Sequence, residues 1–178
     1  MSCKSAGGRH SRHSQANELI RRALNSAQVP AIREPPGLSR HDLKRPDGLT
    51  LLPWAQGRSL VWDFTCADTL AASHIASTSQ QAEKAALQAE KKKFSHYADL
   101  ANSGYIIMPV ACETLGSWAP AGKKFIQDIG KRIEETTGEK RSTSFLFQAI
   151  SIAIQRGNAA SVAGTIASAK KLDEIYYL

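Results

Sequence analysis

Two aspartates, Asp47 and Asp63, occupy positions where a carboxylate has to be accounted for. The first follows a proline in Arg45-Pro46-Asp47, and the second interrupts the apolar run Leu60-Val61-Trp62-Asp63-Phe64. A buried lone carboxylate is strongly unfavourable unless it is paired, hydrogen-bonded or bound to a metal. Two carboxylates on neighbouring backbone segments supply hard oxygen ligands for a divalent cation, provided that a positive side chain nearby steadies developing charge or orients a water. Lys93 and Tyr97 offer that support, because they are four residues apart and share a helix face, with Glu90 three residues earlier. Phe94 is expected to turn toward the core, and Lys91 and Lys92 toward solvent. Without a metal the same groups make ordinary ion pairs, Asp63 with Lys93 and Asp47 with Arg45 or Lys44, and a lysine run is equally a solvated helix face.

The elements that must position these groups are readable from local pattern. Ser14 can cap a helix over 15–28, in which Leu19, Ile20, Ala23, Leu24 and Ala27 form one apolar stripe. Residues 29–38, VPAIREPPGL, give a short strand that stops at the double proline. GLTLLPW and SLVWDFTC are strand-like, and Ala55-Gln56-Gly57-Arg58 between them suits a hairpin turn. Alternation puts Leu60, Trp62 and Phe64 on one face of the second strand and Val61, Asp63 and Thr65 on the other. Pairing Ala55 with Arg58 sets Asp63 opposite Thr50 and Asp47 opposite Cys66. That offset of three residues is about 10 Å along the strands, too far for one ion unless a bulge, placed at Pro53, slips the register.

Residues 79–102 are rich in Ala, Glu, Lys and Gln and predict one long helix ending before Gly104. YIIMPVACETLG then reads as a buried strand, and strand, helix, strand implies a parallel crossover. Phe125, Ile126, Ile129 and Ile133 predict an amphipathic helix ended near Gly138. Ser142 or Thr143 can cap a further helix, whose FLFQAISIAI is apolar nearly all round and predicts a central position, with Gly157 after it. The C-terminal tail carries no clear pattern. The expected fold class is α/β: a small mixed sheet with a central antiparallel hairpin and one parallel crossover strand, flanked by helices, with extra C-terminal helices. Residues 1–13 read as a basic flexible arm and 14–178 as a single domain.

At 178 residues, 42% hydrophobic and 22% charged, the chain has globular composition, and 23 Lys and Arg against 16 Asp and Glu leave a net charge of +7. That balance favours polyanions, nucleic acid first. The three widely spaced cysteines suggest no disulfide framework, and no stretch has the length of a membrane span or the apolar centre of a signal peptide. The expectation is an intracellular soluble protein.

Arg45-Pro46-Asp47, Val61-Trp62-Asp63-Phe64-Thr65 and Lys93-x-x-His96-Tyr97, in that order, resemble the restriction-like endonuclease domain at the C-terminal end of reverse transcriptases from non-LTR retrotransposons, of the PD-(D/E)XK superfamily. Arg12-His13, EPPGL at 34–38, PVACETLG at 109–116, RSTSFLFQAIS at 141–151 and QRGNAA at 155–160 extend the resemblance over most of the chain. It implies a restriction-endonuclease-like fold and DNA phosphodiester cleavage assisted by Mg²⁺ or Mn²⁺. Asp47 and Asp63 would bind the metal, Lys93 would stabilise charge at the phosphate or orient the attacking water, and Tyr97 would position the lysine or the backbone. Glu34 and Glu113 are possible auxiliary carboxylates, Glu34 the better candidate for a metal ligand. Phosphate contacts would come from Arg9, Arg12, Arg21, Arg22, Arg40, Lys44 and Arg45, and nuclear residence follows from the same resemblance.

The chain departs from the family pattern at three places. Thr65 stands where the superfamily commonly has a lysine, a change that the helical lysine of the retrotransposon domains offsets. His96 replaces the second lysine of the family's helical motif, and a neutral imidazole is a poor substitute for a fixed positive charge. Of the zinc knuckle that precedes the domain in the family only Cys3 matches. Cys3, His10 and His13 give three ligands where a structural zinc site wants four, so no zinc is expected. Without polymerase motifs the chain looks like a fragment or an independently translated remnant of a mobile element. The readings left open are an active nuclease, a catalytically inactive nucleic-acid-binding remnant and a non-enzymatic partner-binding module.

Overall fold

The computed structural model describes residues 8–38 and 45–165. Four strands form one mixed sheet in the order β1 (Ala31–Arg33), β2 (Gly48–Thr50), β3 (Leu60–Ala67) and β4 (Ile106–Glu113). The β1–β2 and β2–β3 pairs are antiparallel, while β4 runs parallel to β3 from Leu60↔Ile106 to Ala67↔Glu113. The expected α/β class with its mixed sheet is therefore what the chain adopts. Pro109 is accommodated because β4 lies at the sheet edge, where a proline nitrogen facing outward removes no bond of the ladder.

Helices cover both faces. On one side α1 (Gly8–Ser26), α5 (Pro120–Thr137) and α6 (Ser142–Ala163) pack on Leu60, Trp62, Phe64, Val110 and Cys112, and Ile20, Leu24, Phe125, Ile126, Ile129, Ile150 and Ile154 complete the main core. On the other side α3 (Lys84–His96) lies over β3 and β4, with the short α2 (Ile75–Thr78) before it and α4 (Ala98–Asn102) after it. The expected C-terminal helical pair is α5 and α6, and Gly138 ends α5 in the left-handed region at φ 77°.

Several boundaries differ from the sequence reading. The first helix begins at Gly8, so residues 8–13 are helical rather than part of an arm. They are held there by close packing on α6, where a Cβ at Gly8 would stand 2.3 Å from the Gly157 carbonyl oxygen and one at Gly157 would stand 1.9 Å from Arg12 Cγ. Gly157 consequently lies inside α6, as the point where α1 crosses it, and does not end the helix. Phe145 and Ile152 are exposed, so α6 is not buried all round. The single helix expected over 79–102 starts at Lys84 and is interrupted at Tyr97, whose φ of −105° and ψ of 21° leave the helical region as its ring enters the core. Phe94 is exposed rather than core-facing, because the stripe of α3 that meets the sheet is Ala85, Ala89, Lys93 and Tyr97.

Candidate functional site

The hairpin decides whether the two aspartates meet. Its turn has the expected pairing, Ala55 with Arg58, and both central residues are left-handed, Gln56 at φ 50° and Gly57 at φ 70°, as a type I′ turn requires. Farther along, Gly48 pairs with Trp62 and Leu49 with Val61. The register has slipped by three residues between turn and strand. Leu51 and Leu52 loop out into solvent, while Trp54 turns inward, edge-on to Phe125 at 5.4 Å, with the Arg132 guanidinium stacked 3.6 Å over its ring. Arg132 also donates to the Trp54 carbonyl oxygen at 2.9 Å. At the other end Gly48 admits the Trp62 indole, since a Cβ there would stand 2.0 Å from Trp62 Cζ2. Asp47 lies just before the first paired residue of β2, its backbone N–H donating to the Trp62 carbonyl oxygen at 3.1 Å, which places it beside the part of β3 that carries Asp63.

Each aspartate is then held from a different direction. Asp63 has a side chain only 7% exposed, and its Oδ1 lies 2.7 Å from Lys93 Nζ. Its Oδ2 accepts a short hydrogen bond from the Tyr97 hydroxyl. Burial pushes the Asp63 carboxyl above the usual carboxylate range and the Asp47 charge adds to this, with Lys93 and Tyr97 opposing. Asp47 Oδ2 accepts the Phe64 backbone N–H at 2.7 Å and lies 3.0 Å from His13 Nε2. The hydrogen bond to Asp47 raises the His13 pKa above its ordinary value, against the effect of burial.

His13 is the residue whose part in the site the sequence did not announce. Asn17, one turn later on α1, accepts the Trp62 indole N–H at 3.0 Å through Oδ1 and has Nδ2 3.4 Å from His13 Nδ1. Because an indole nitrogen only donates, this fixes the Asn17 amide, which then donates to His13 Nδ1 and leaves Nε2–H for Asp47. The signal was the spacing of His13 and Asn17, four apart on one helix face.

Of the residues singled out for metal binding and catalysis, the structure brings together Asp47, Asp63, Lys93 and Tyr97. Glu34 is joined to Asp47 through its backbone, its N–H donating to the Asp47 carbonyl oxygen at 2.8 Å, but its carboxylate pairs with the Arg45 guanidinium. Glu113 is buried and caps α3, Oε1 accepting the Ala85 and Ala86 N–H groups at 2.9 and 3.3 Å and Oε2 the Thr69 hydroxyl at 3.3 Å. Among the described residues no group of three or more His, Cys, Asp and Glu is arranged to hold a metal ion. Two carboxylates do fit Mg²⁺, which is held through one or two of them with the remaining positions left to water and phosphate oxygens. Both Asp63 oxygens already accept a hydrogen bond, and each carboxylate oxygen retains a second acceptor site.

The expected phosphate contacts divide. Arg9 and Arg22 are exposed on α1, Arg21 forms a two-bond pair with Glu18, and Arg45 pairs with Glu34. Arg12 is corrected: it is 2% exposed and its Nη1 donates to Asn158 Oδ1 at 2.6 Å, so it ties α1 to α6 inside the protein instead of facing a ligand in solvent. Arg40 and Lys44 lie outside the described residues. No helix among the described residues is long and apolar enough to cross a membrane. No protein-family model matches the chain, and no curated protein matches it either.

Proposed function

We propose that this chain is an endonuclease-like protein of the PD-(D/E)XK type, related to the restriction-like domain of non-LTR retrotransposon reverse transcriptases, that binds DNA and cleaves phosphodiester bonds with a divalent metal. The observation that carries this reading is the convergence of Asp47, bonded to the Trp62 carbonyl oxygen and the Phe64 N–H on either side of Asp63, with Asp63 itself and the Lys93 amine 2.7 Å from it. Mg²⁺ or Mn²⁺ at such a pair polarises a phosphoryl oxygen and acidifies a bound water. Asp47 and Asp63 would hold the ion. Lys93 has three N–H donors and spends one on Asp63, leaving the others for a phosphate oxygen or a water. Tyr97 fixes the Asp63 carboxylate, and the Phe64 N–H and His13 fix that of Asp47. Arg9, Arg22, Lys91 and Lys92 are exposed and would supply phosphate contacts that weaken with salt. Nuclear residence belongs to the same reading.

The test is relaxation of supercoiled plasmid by the purified chain with Mg²⁺ or Mn²⁺, beside Asp63→Asn. Nicking that requires both the metal and the intact aspartate is the expected result, and equal nicking by both proteins refutes the assignment. One observation favours a non-enzymatic reading: Lys93 and Tyr97 already satisfy Asp63 without a metal. On that reading neither protein nicks, and DNA retardation at low salt separates a binding remnant from a partner-binding module.

A further inference from the structure

Outside the carboxylate site the sheet carries a second pair of side chains with chemistry of their own. Cys66 on β3 and Cys112 on β4 are register partners on adjacent parallel strands, and both are free thiols. They share the α1 face of the sheet with Trp62 and Phe64. Cys112 is wholly buried, whereas Cys66 is half-buried and lines a cavity of about 250 Å³ at the C-terminal end of β3. Arg9, Arg12, His74 and Lys92 also line it, opposed by Asp68, so the thiol opens into a predominantly basic recess.

We propose that Cys66 and Cys112 form a peroxide-reactive dithiol, with Cys66 as the attacking sulfur and Cys112 as the resolving one. In the first step the Cys66 thiolate attacks one oxygen of a hydroperoxide. The O–O bond breaks, a sulfenic acid forms on Cys66, and the departing hydroxide or alkoxide takes up a proton. In the second step the Cys112 sulfur attacks the Cys66 sulfur and the S–O bond breaks. Hydroxide leaves and takes the Cys112 proton as water. Two thiols are thereby oxidised to one disulfide and one peroxide is reduced.

The division of labour follows from the surroundings. The neighbouring Cys112 thiol and the Arg12 charge lower the Cys66 pKa, while the neighbouring Cys66 sulfur and burial push the Cys112 thiol well up. Only Cys66 faces the cavity through which a peroxide arrives. Adjacent strands stand about 4.8 Å apart, within the Cα range of disulfides, but bridged Cβ atoms need about 3.8 Å. Closing the bridge draws β3 toward β4 and holds it under strain, which makes it readily reducible. The pinch falls three residues after Asp63 on the same strand.

The experiment uses the full chain carrying Cys3→Ser, so that these two thiols alone remain, and titrates it with hydrogen peroxide under non-reducing conditions. The expected product is monomeric and lighter by two hydrogens, about 2 Da, with both thiols protected from alkylation together and recovered with dithiothreitol. In the Cys112→Ser background dimedone traps a sulfenic acid on Cys66, and in the Cys66→Ser background Cys112 stays reduced. Circular dichroism confirms that each variant is folded, and Cys112→Ala replaces Cys112→Ser if the serine disturbs the core. Accumulation of sulfinic acid on Cys66 while Cys112 remains a free thiol overturns the proposal. So does a Cys66 no more reactive than free cysteine, or a disulfide formed only between two chains.

Discussion

Replacing Lys93 by methionine keeps the length of the stem and removes its charge, which isolates the ion pair at the centre of the site. Nζ stands 2.7 Å from Asp63 Oδ1, with the two side chains 30% and 7% exposed. Unit charges about 3 Å apart attract by about 5 kcal/mol at an effective dielectric of about 20, and the cost of desolvating both groups cancels much of that. A hydrogen bond to a charged group nets about 1.5–3 kcal/mol, so Lys93→Met should destabilise the fold by about 2 kcal/mol near neutral pH. The pH dependence has a definite sign. Burial and Asp47 already raise the Asp63 pKa, and losing Lys93 raises it further, so the folded state binds that proton more tightly than the unfolded chain does. Stability from such a group is full below the unfolded pKa and is lost as pH rises through the folded one. The deficit of Lys93→Met is therefore largest at neutral pH and shrinks as acidification protonates Asp63. Urea titrations of wild type, Lys93→Met, Asp63→Asn and the double variant at about pH 4 and about pH 8 should give a coupling energy of about 1.5–3 kcal/mol at the higher pH and less at the lower. A coupling below about 0.5 kcal/mol at the higher pH, the range of a solvated surface pair, would refute the reasoning.

Gly48→Ala should cost about 1–3 kcal/mol in a denaturant titration and abolish any Mg²⁺-induced rise in Tm, because its Cβ meets the Trp62 ring at 2.0 Å and the register that aligns the aspartates depends on that contact. An unchanged midpoint would mean that the register has another determinant. His13 contributes stability with the opposite origin but the same sign as Asp63: its pKa is raised by the hydrogen bond to Asp47, so its contribution is present below the ordinary imidazole pKa of about 6.5 and lost as pH climbs through the higher folded value. His13→Gln should remove that slope from a plot of Tm against pH, and an identical slope in the variant would show that the imidazole is not coupled to Asp47.

The sequence disclosed the cast of the site more fully than its geometry. Asp63 inside an apolar strand and Lys93 four residues before Tyr97 are local patterns with a fixed physical meaning, and so is the Gln56-Gly57 turn. The register is different in kind. It depends on whether a glycine lies under a particular indole and whether Trp54 docks on Phe125 and Arg132, contacts between segments up to 78 residues apart. Arg12 differs from its expected place for the same reason: its partner Asn158 lies 146 residues away, and no local pattern separates an arginine that clamps two helices from one that meets solvent. Phe94 lies outside because the sheet-facing stripe of α3 is made of Ala85, Ala89, Lys93 and Tyr97, not of its bulkiest apolar side chain. Alanines let the helix approach the sheet closely enough for Lys93 and Tyr97 to reach Asp63, and that approach leaves the phenylalanine outside.

The sheet itself provides a control for what Asp63 means. Glu113, at the end of β4, is more deeply buried, yet it is held by two backbone N–H groups and a threonine hydroxyl at the start of a helix, where partners and helix dipole both favour a negative charge. Its fixed partners leave no reason to expect exchange, and they account for the carboxylate as structure. Asp63 is held instead by the ends of two long side chains, one of them 30% exposed, and a second carboxylate, that of Asp47, stands close by on the N–H of the next residue, Phe64. A fold needing only a satisfied buried acid has no use for that like charge, which pushes the Asp63 pKa upward and lowers stability at neutral pH. On the proposed nuclease reading the same arrangement would become favourable with a cation joining the two carboxylates and the Lys93 amine free to meet an anion. The difference between these two buried acids, one sealed by backbone and one held by exchangeable side chains, is the physical ground for placing function at Asp63 and not at Glu113.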